Sequence, residues 1–173
     1  MTPRRALREF PWPDPTFLTV ELDVPTGLSA AQLTWLTGHQ VQGQPPHAKG
    51  AGPTLGPMIA DVLDYGIAIR GDDWLFWQPI FLPATPGEVS RTVSVDVERR
   101  RMRVLVAGAP QPDARIVVYE PSSDWTRLKT FTADAEGWVD AALSGTTFRL
   151  SCGTSYLELA WPPPASQTDL RFD

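Results

Sequence analysis

His39 and His47, followed by Asp61 and Asp64, supply nitrogen and oxygen donors of the kind that hold a transition metal. Their spacing, in a stretch rich in glycine and proline, matches no recognised ligand pattern, so solvated histidines and an absent metal are the expectation. Cys152 is the one thiol in the chain. As a nucleophile it would need a histidine delivered by folding, and it has no partner for an internal disulfide. It lies in an alternating segment and reads as a small buried hydrophobe. The acidic pairs Asp72 with Asp73 and Asp134 with Glu136 could serve acid and base chemistry or calcium, but each sits among turn residues. No Gly-x-Ser-x-Gly, phosphate loop, dinucleotide fingerprint or zinc spacing occurs. The expectation is therefore no catalytic residue and no cofactor.

Binding chemistry has stronger candidates. Arg99, Arg100 and Arg101, with Arg91 and Arg103 close by, form the basic concentration of the chain. They could receive a phosphate or an acidic partner surface, although a hairpin tip can expose charge without any function. Trp74 and Trp77 stand in the densest aromatic segment, Trp74 to Leu82, which is either a stacking platform or a core strand. Phe10 and Trp12 are anchors in a proline-rich start. These seven residues, Phe10, Trp12, Trp74, Trp77, Arg99, Arg100 and Arg101, are the candidate interaction residues. Asp134 and Gly137 are candidate turn residues, the first for its acceptor oxygens and the second for its freedom at positive φ.

Composition limits what such residues can meet. The chain has 173 residues, 42% of them hydrophobic, which suffices for a substantial core. A formal charge of -5 opposes direct nucleic-acid binding, which draws on a basic field. No apolar run approaches the roughly 20 residues of a membrane span. Met1 to Arg5 leads to Pro11-Trp12-Pro13 instead of a signal-peptide core, so export by that route is not expected. Thirteen arginines stand against two lysines, with no asparagine, a bias that speaks of coding more than of function.

The elements that must position these groups read as follows. Residues 1–15 form an extended arm. Thr16 to Val24 alternates cleanly, Leu18, Val20, Leu22 and Val24 against Thr19, Glu21 and Asp23, and predicts a strand. Ser29 as N-cap, Gln32 and the Leu28 to Leu33 staple predict a short helix over Ala30 to Thr37, ended by Gly38. Gly38 to Leu55 reads as a long loop. Pro57 predicts the first turn of a second short helix carrying Met58, Ile59, Val62 and Leu63, stopped at Gly66. Strands follow at Ile67 to Ile69 and at Trp74 to Leu82, the latter an edge or bent at Pro79. The proline-rich residues 83–87 mark a boundary near 87–91.

Beyond that boundary the period is two. Val93 to Val97, Met102 to Val106, Arg115 to Glu120, Thr126 to Ala133, Trp138 to Leu143, Thr147 to Cys152 and Tyr156 to Trp161 read as seven strands of a sandwich. The predicted fold is mainly β. It has a C-terminal seven-stranded antiparallel β-sandwich over 91–162, an N-terminal α+β portion over 16–90 with two short helices, and a polar tail over 163–173.

Val104 to Val106, Ala109 to Asp113, Ala114 to Tyr119, Thr130 to Gly137 with its Thr-x-Asp-x-x-Gly turn, and Gly145 to Leu150 together resemble the carboxypeptidase regulatory-like and collagen-adhesin B-type sandwiches, which are transthyretin-like. The match covers about a third of the chain. The resemblance implies an immunoglobulin-like or prealbumin-like fold and a spacer, stalk or display role. Some adhesin repeats carry a lysine to asparagine crosslink, which a chain without asparagine and with Arg103 at the first-strand position should lack. Transthyretin-like hydrolases use histidines within the sandwich, whereas His39 and His47 precede it.

Taken together, these readings give a noncatalytic structural or assembly protein, with protein partners in a homo-oligomer or hetero-assembly, no direct nucleic acid and no membrane span. Fold and compartment point by analogy to a phage virion, as a tail, neck or capsid accessory, or to an injection machine, with a virion or cytoplasmic location. The alternatives are a carbohydrate or small-ligand module using residues 38–55 and exposed tryptophans, and a small enzyme with a dispersed site.

Overall fold

The computed structural model describes residues 16–28, 33–38, 47–48, 54–60, 64–81, 87–120 and 127–173. Every regular element among them is a strand. In chain order these are β1 (Thr16–Asp23), β2 (Leu33–Gly38), β3 (His47–Ala48), β4 (Thr54–Ala60), β5 (Asp64–Arg70), β6 (Trp74–Phe81), β7 (Gly87–Ser94) and β8 (Glu98–Val106). They continue with β9 (Ala109–Pro110), β10 (Arg115–Tyr119), β11 (Arg127–Thr132), β12 (Trp138–Leu143), β13 (Thr147–Cys152), β14 (Ser155–Ala160) and β15 (Asp169–Phe172).

The strands make three sheets. The largest runs β15-β8-β12-β6-β5-β2-β3, with β9 also on β8; a second runs β11-β10-β13-β14, and a third β4-β1-β7. Successive side chains of a strand point to opposite faces, and the large sheet uses both. Met102, Val104, Val139, Leu143, Leu170 and Phe172 from β8, β12 and β15, with Leu75 and Trp77 from β6, pack against Ile116, Val118, Phe148 and Leu150 of the second sheet. The alternate residues Trp74, Phe76 and Ile80 of β6, with Ile67 and Ile69 of β5, pack against Leu18, Val20, Leu22 and Val93 of the third. A central sheet with a different sheet on each face gives two cores and three layers. The first core leaves an apolar cavity of about 10 Å³, too small and too dry for a ligand.

The β12 to β6 seam joins the halves of the central sheet. Its parallel pairing covers only Ala142 with Trp74 and Leu143 with Leu75. Ser144 then extends the ladder with its side chain: its N–H donates to the Leu75 carbonyl at 3.1 Å, and its Oγ accepts from the Trp77 N–H at 2.9 Å and donates to the Trp77 carbonyl at 3.1 Å. Past Trp77, β6 has no partner on this side among the described residues, and Pro79, which has no N–H to offer, occupies that free stretch.

Both expected helices are corrected. Residues 33–38 form β2, antiparallel to β5, with Leu33 opposite Arg70 and Trp35 opposite Ala68. The cap and staple are local signals of order 1 kcal/mol, and a full ladder of sheet hydrogen bonds outweighs them. Residues 54–60 form β4 on the rim of the third sheet, where Pro57 is tolerated because it sits at an edge. The pairing of β1 with β4 slips between Leu18, opposite Met58, and Val20, opposite Leu55, so a bulge takes up Gly56 and Pro57. The N-terminal portion is therefore all-β in its described residues, not α+β. Seven strands were too few for the C-terminal part: the segment read as a polar tail ends in β15, whose Leu170 and Phe172 lie in the first core.

Candidate interaction surface

The turn before β12 is built on Asp134. Its Oδ1 accepts from the backbone N–H of Glu136 at 3.0 Å and of Trp138 at 2.8 Å, and its own N–H donates to the Trp138 carbonyl at 2.7 Å. Hydrogen bonding to the charged form favours it, so the Trp138 amide first, then the Glu136 amide and Arg101, hold this carboxyl below its ordinary pKa. Gly137 closes the turn at φ +83°, and a Cβ there would come within 3.2 Å of the Gln111 nitrogen. The turn delivers Trp138 onto β12 opposite Arg103 of β8, with Asp140 opposite Arg101.

That register gathers an outward face. Met102, Val104, Val139 and Ala141 fill the first core, so Arg99, Arg101 and Arg103 of β8 stand on the other side with Trp138 and Asp140 of β12 and with Asp169 and Arg171 of β15. The guanidinium carbons of Arg101 and Arg103 lie 5.4 and 5.7 Å from the centre of the Trp138 ring. Each such contact is worth about 0.5–1 kcal/mol at an exposed site. Arg101 also reaches Asp134 Oδ2 at 3.2 Å. Arg99 bridges Asp73 and Asp140, which raise its pKa, chiefly through the Asp73 hydrogen bond. Arg100, on the opposite parity, pairs with Glu98.

A second polar cluster ties the central sheet to the second. Arg70 donates to the Leu128 carbonyl at 2.6 Å, and Lys129 Nζ donates to the carbonyls of Gly71 at 2.7 Å and Asp72 at 2.9 Å. Burial lowers the pKa of both cations, and Arg70 adds to the lowering at Lys129. These bonds go to backbone carbonyls and fasten the two layers.

The structure sorts the candidates from sequence. Arg99 and Arg101 share the outward face. Trp74 is fully buried in the second core and Trp77 is 9% exposed in the first, so neither ring is presented for stacking. Cys152 is half-buried against the first core, where burial raises its thiol pKa. Phe10, Trp12 and His39 lie outside the described residues; His47 belongs to β3, opposite Leu36. Among the described residues no three His, Cys, Asp or Glu side chains group as a metal site, and no helix is long and apolar enough to cross a membrane. Sequence reading passed over Trp138 and Asp140. The alternation Trp138, Val139, Asp140, Ala141 carried the signal, but only the β8 to β12 register shows what they face.

No protein-family model matches the chain, and no curated protein matches it. Among solved structures it is similar to the Bacillus anthracis TIE protein, at 7% identity and TM-score 0.34, over 92% of this chain and 34% of that one. It is similar to a DUF3823 family protein from Parabacteroides merdae, at 12% identity and TM-score 0.34, over 84% of this chain and 92% of that one. A third is the shaft pilin spaA of Lactobacillus rhamnosus GG, at 9% identity and TM-score 0.27, over 91% and 96% of the two chains. This chain thus spans about a third of the TIE protein's length. None of these likenesses carries an argument about what the chain does.

Proposed function

We propose that this protein is a noncatalytic β-scaffold that works by contact with other protein subunits, through the outward face of β15, β8 and β12. The observation that carries this reading is the uneven cover of the central sheet. Among the described residues its β5 and β6 half is packed on both faces, whereas on its β8 and β12 half Ala142 alone joins the second core and the rest of that face bears arginine and tryptophan. Trp and Arg are the residue types in which interface energy concentrates. Here they are held by the Asp134 turn and by ion pairs, so little ordering remains to be done on binding. The resemblance to carboxypeptidase regulatory-like and collagen-adhesin B-type modules supports the same role. A phage virion or injection machine, the setting expected from sequence, has no support in the fold or the comparisons, and the proposal is the coarser one.

Charge reversal on the face tests it. Arg101→Glu with Arg103→Glu should release the protein from the complexes in which the unaltered chain travels, with the melting temperature moved by a few degrees at most. Unchanged complexes would move the interface elsewhere.

A further inference from the structure

We infer that β15 is an exchangeable strand, and that the slot it fills along β8 accepts the same strand from a second copy of this chain. This rests on the assembly reading and adds to it a partner and a joint.

Among the described residues β15 is hydrogen-bonded on one side only, to β8, in parallel register from Asp169 opposite Arg103 to Phe172 opposite Val106. Leu170 and Phe172 point inward and are 2% and 1% exposed, so the first core is incomplete without them. The outward residues Asp169 and Arg171 pair with each other at 3.1 Å. The strand therefore carries its apolar plug and its neutralised charges as one unit, and leaves no ion pair on β8 broken when it departs. Backbone bonds from Arg103 N–H to the Thr168 carbonyl (2.8 Å) and from Ala107 N–H to the Phe172 carbonyl (3.0 Å) pin its two ends.

The segment leading to it is rich in proline. Pro162, Pro163 and Pro164 have no N–H and a fixed φ, which stiffens and extends a chain. Pro163 is buried while residues 162, 164–166 and 168 are exposed, and one turn bond, Gln167 N–H to the Pro164 carbonyl at 2.8 Å, folds the segment back. Each contact of β15 with β8 and the first core is the same whichever copy provides β8. Exchange therefore changes the linker, including the burial of Pro163, and the entropy of association. An empty slot, in contrast, would bare a sheet edge and an apolar trough. Own strand and copy's strand are the two ways to fill it, and reciprocal exchange closes a dimer.

The test mixes two full-length chains, both with Cys152→Ser. One carries Leu105→Cys on β8 and the other Arg171→Cys on β15; the two positions are register partners on the outer face. The pair is refolded together from denaturant over a range of concentrations and treated with a short bismaleimide. The expected result is a dimer-mass product linking positions 105 and 171, its yield rising with concentration. A chain carrying both substitutions serves as control and should link internally. If that control links and the mixture gives no 105 to 171 product, exchange is overturned. Oligomers by light scattering without that product would overturn exchange and leave the assembly reading standing, whereas monomers at every concentration would count against both.

Discussion

At residue scale Asp134 and Gly137 build the turn before β12, and Ser144 closes the seam between β12 and β6. The folded state holds the Asp134 carboxyl below its usual pKa, so its charge stabilises the fold fully above the unfolded value near 3.9, and the benefit is lost as pH falls through the folded one. Asp134→Asn keeps an acceptor and removes the charge. The difference in melting temperature between the two proteins should be largest at neutral pH and close below about pH 4; a gap that widens on acidification would contradict this. Gly137→Ala forces a side chain into the left-handed region beside the Gln111 nitrogen and should cost about 1–2 kcal/mol by urea unfolding. Ser144→Ala leaves the Trp77 N–H and carbonyl without their partner and should cost about 1–3 kcal/mol. A Thr-x-Asp-x-x-Gly spacing is visible in sequence because its bonds are local. Ser144 was not visible, since its partners lie 67 residues away.

At the scale of elements, legibility followed the range of the forces. Thr16 to Asp23 alternates over a whole strand, and β1 is where the period places it. Residues 30–37 and 57–63 carry good helix starts, but those signals are weak beside sheet pairing with β5 and β1. Asp169 to Phe172 does alternate, over only four residues and after a proline run, so it reads as a tail until its register with β8 is known. The strand's two sides separate cleanly by mutation. Phe172→Ala should cost about 3–5 kcal/mol, as for a buried aromatic, and Arg171→Ala, on the exposed side, within about 0.5 kcal/mol. Equal losses at the two positions would mean that β15 does not plug the first core.

At the scale of the molecule, one sheet serves two cores on opposite faces, and the Arg70 and Lys129 contacts fasten its β5 to β6 turn to the second sheet. Among the described residues the outward face of β15, β8 and β12 is charged and aromatic, and its side chains are paired with one another. The assembly reading is tested most directly by the size at which the chain travels in fresh extract of the cells that make it, followed by antibody through gel filtration. The expected result is elution in a complex well above the 19.1 kDa of the chain, lost with Arg101→Glu and Arg103→Glu. Elution of the unaltered protein as a monomer of that mass would contradict the account.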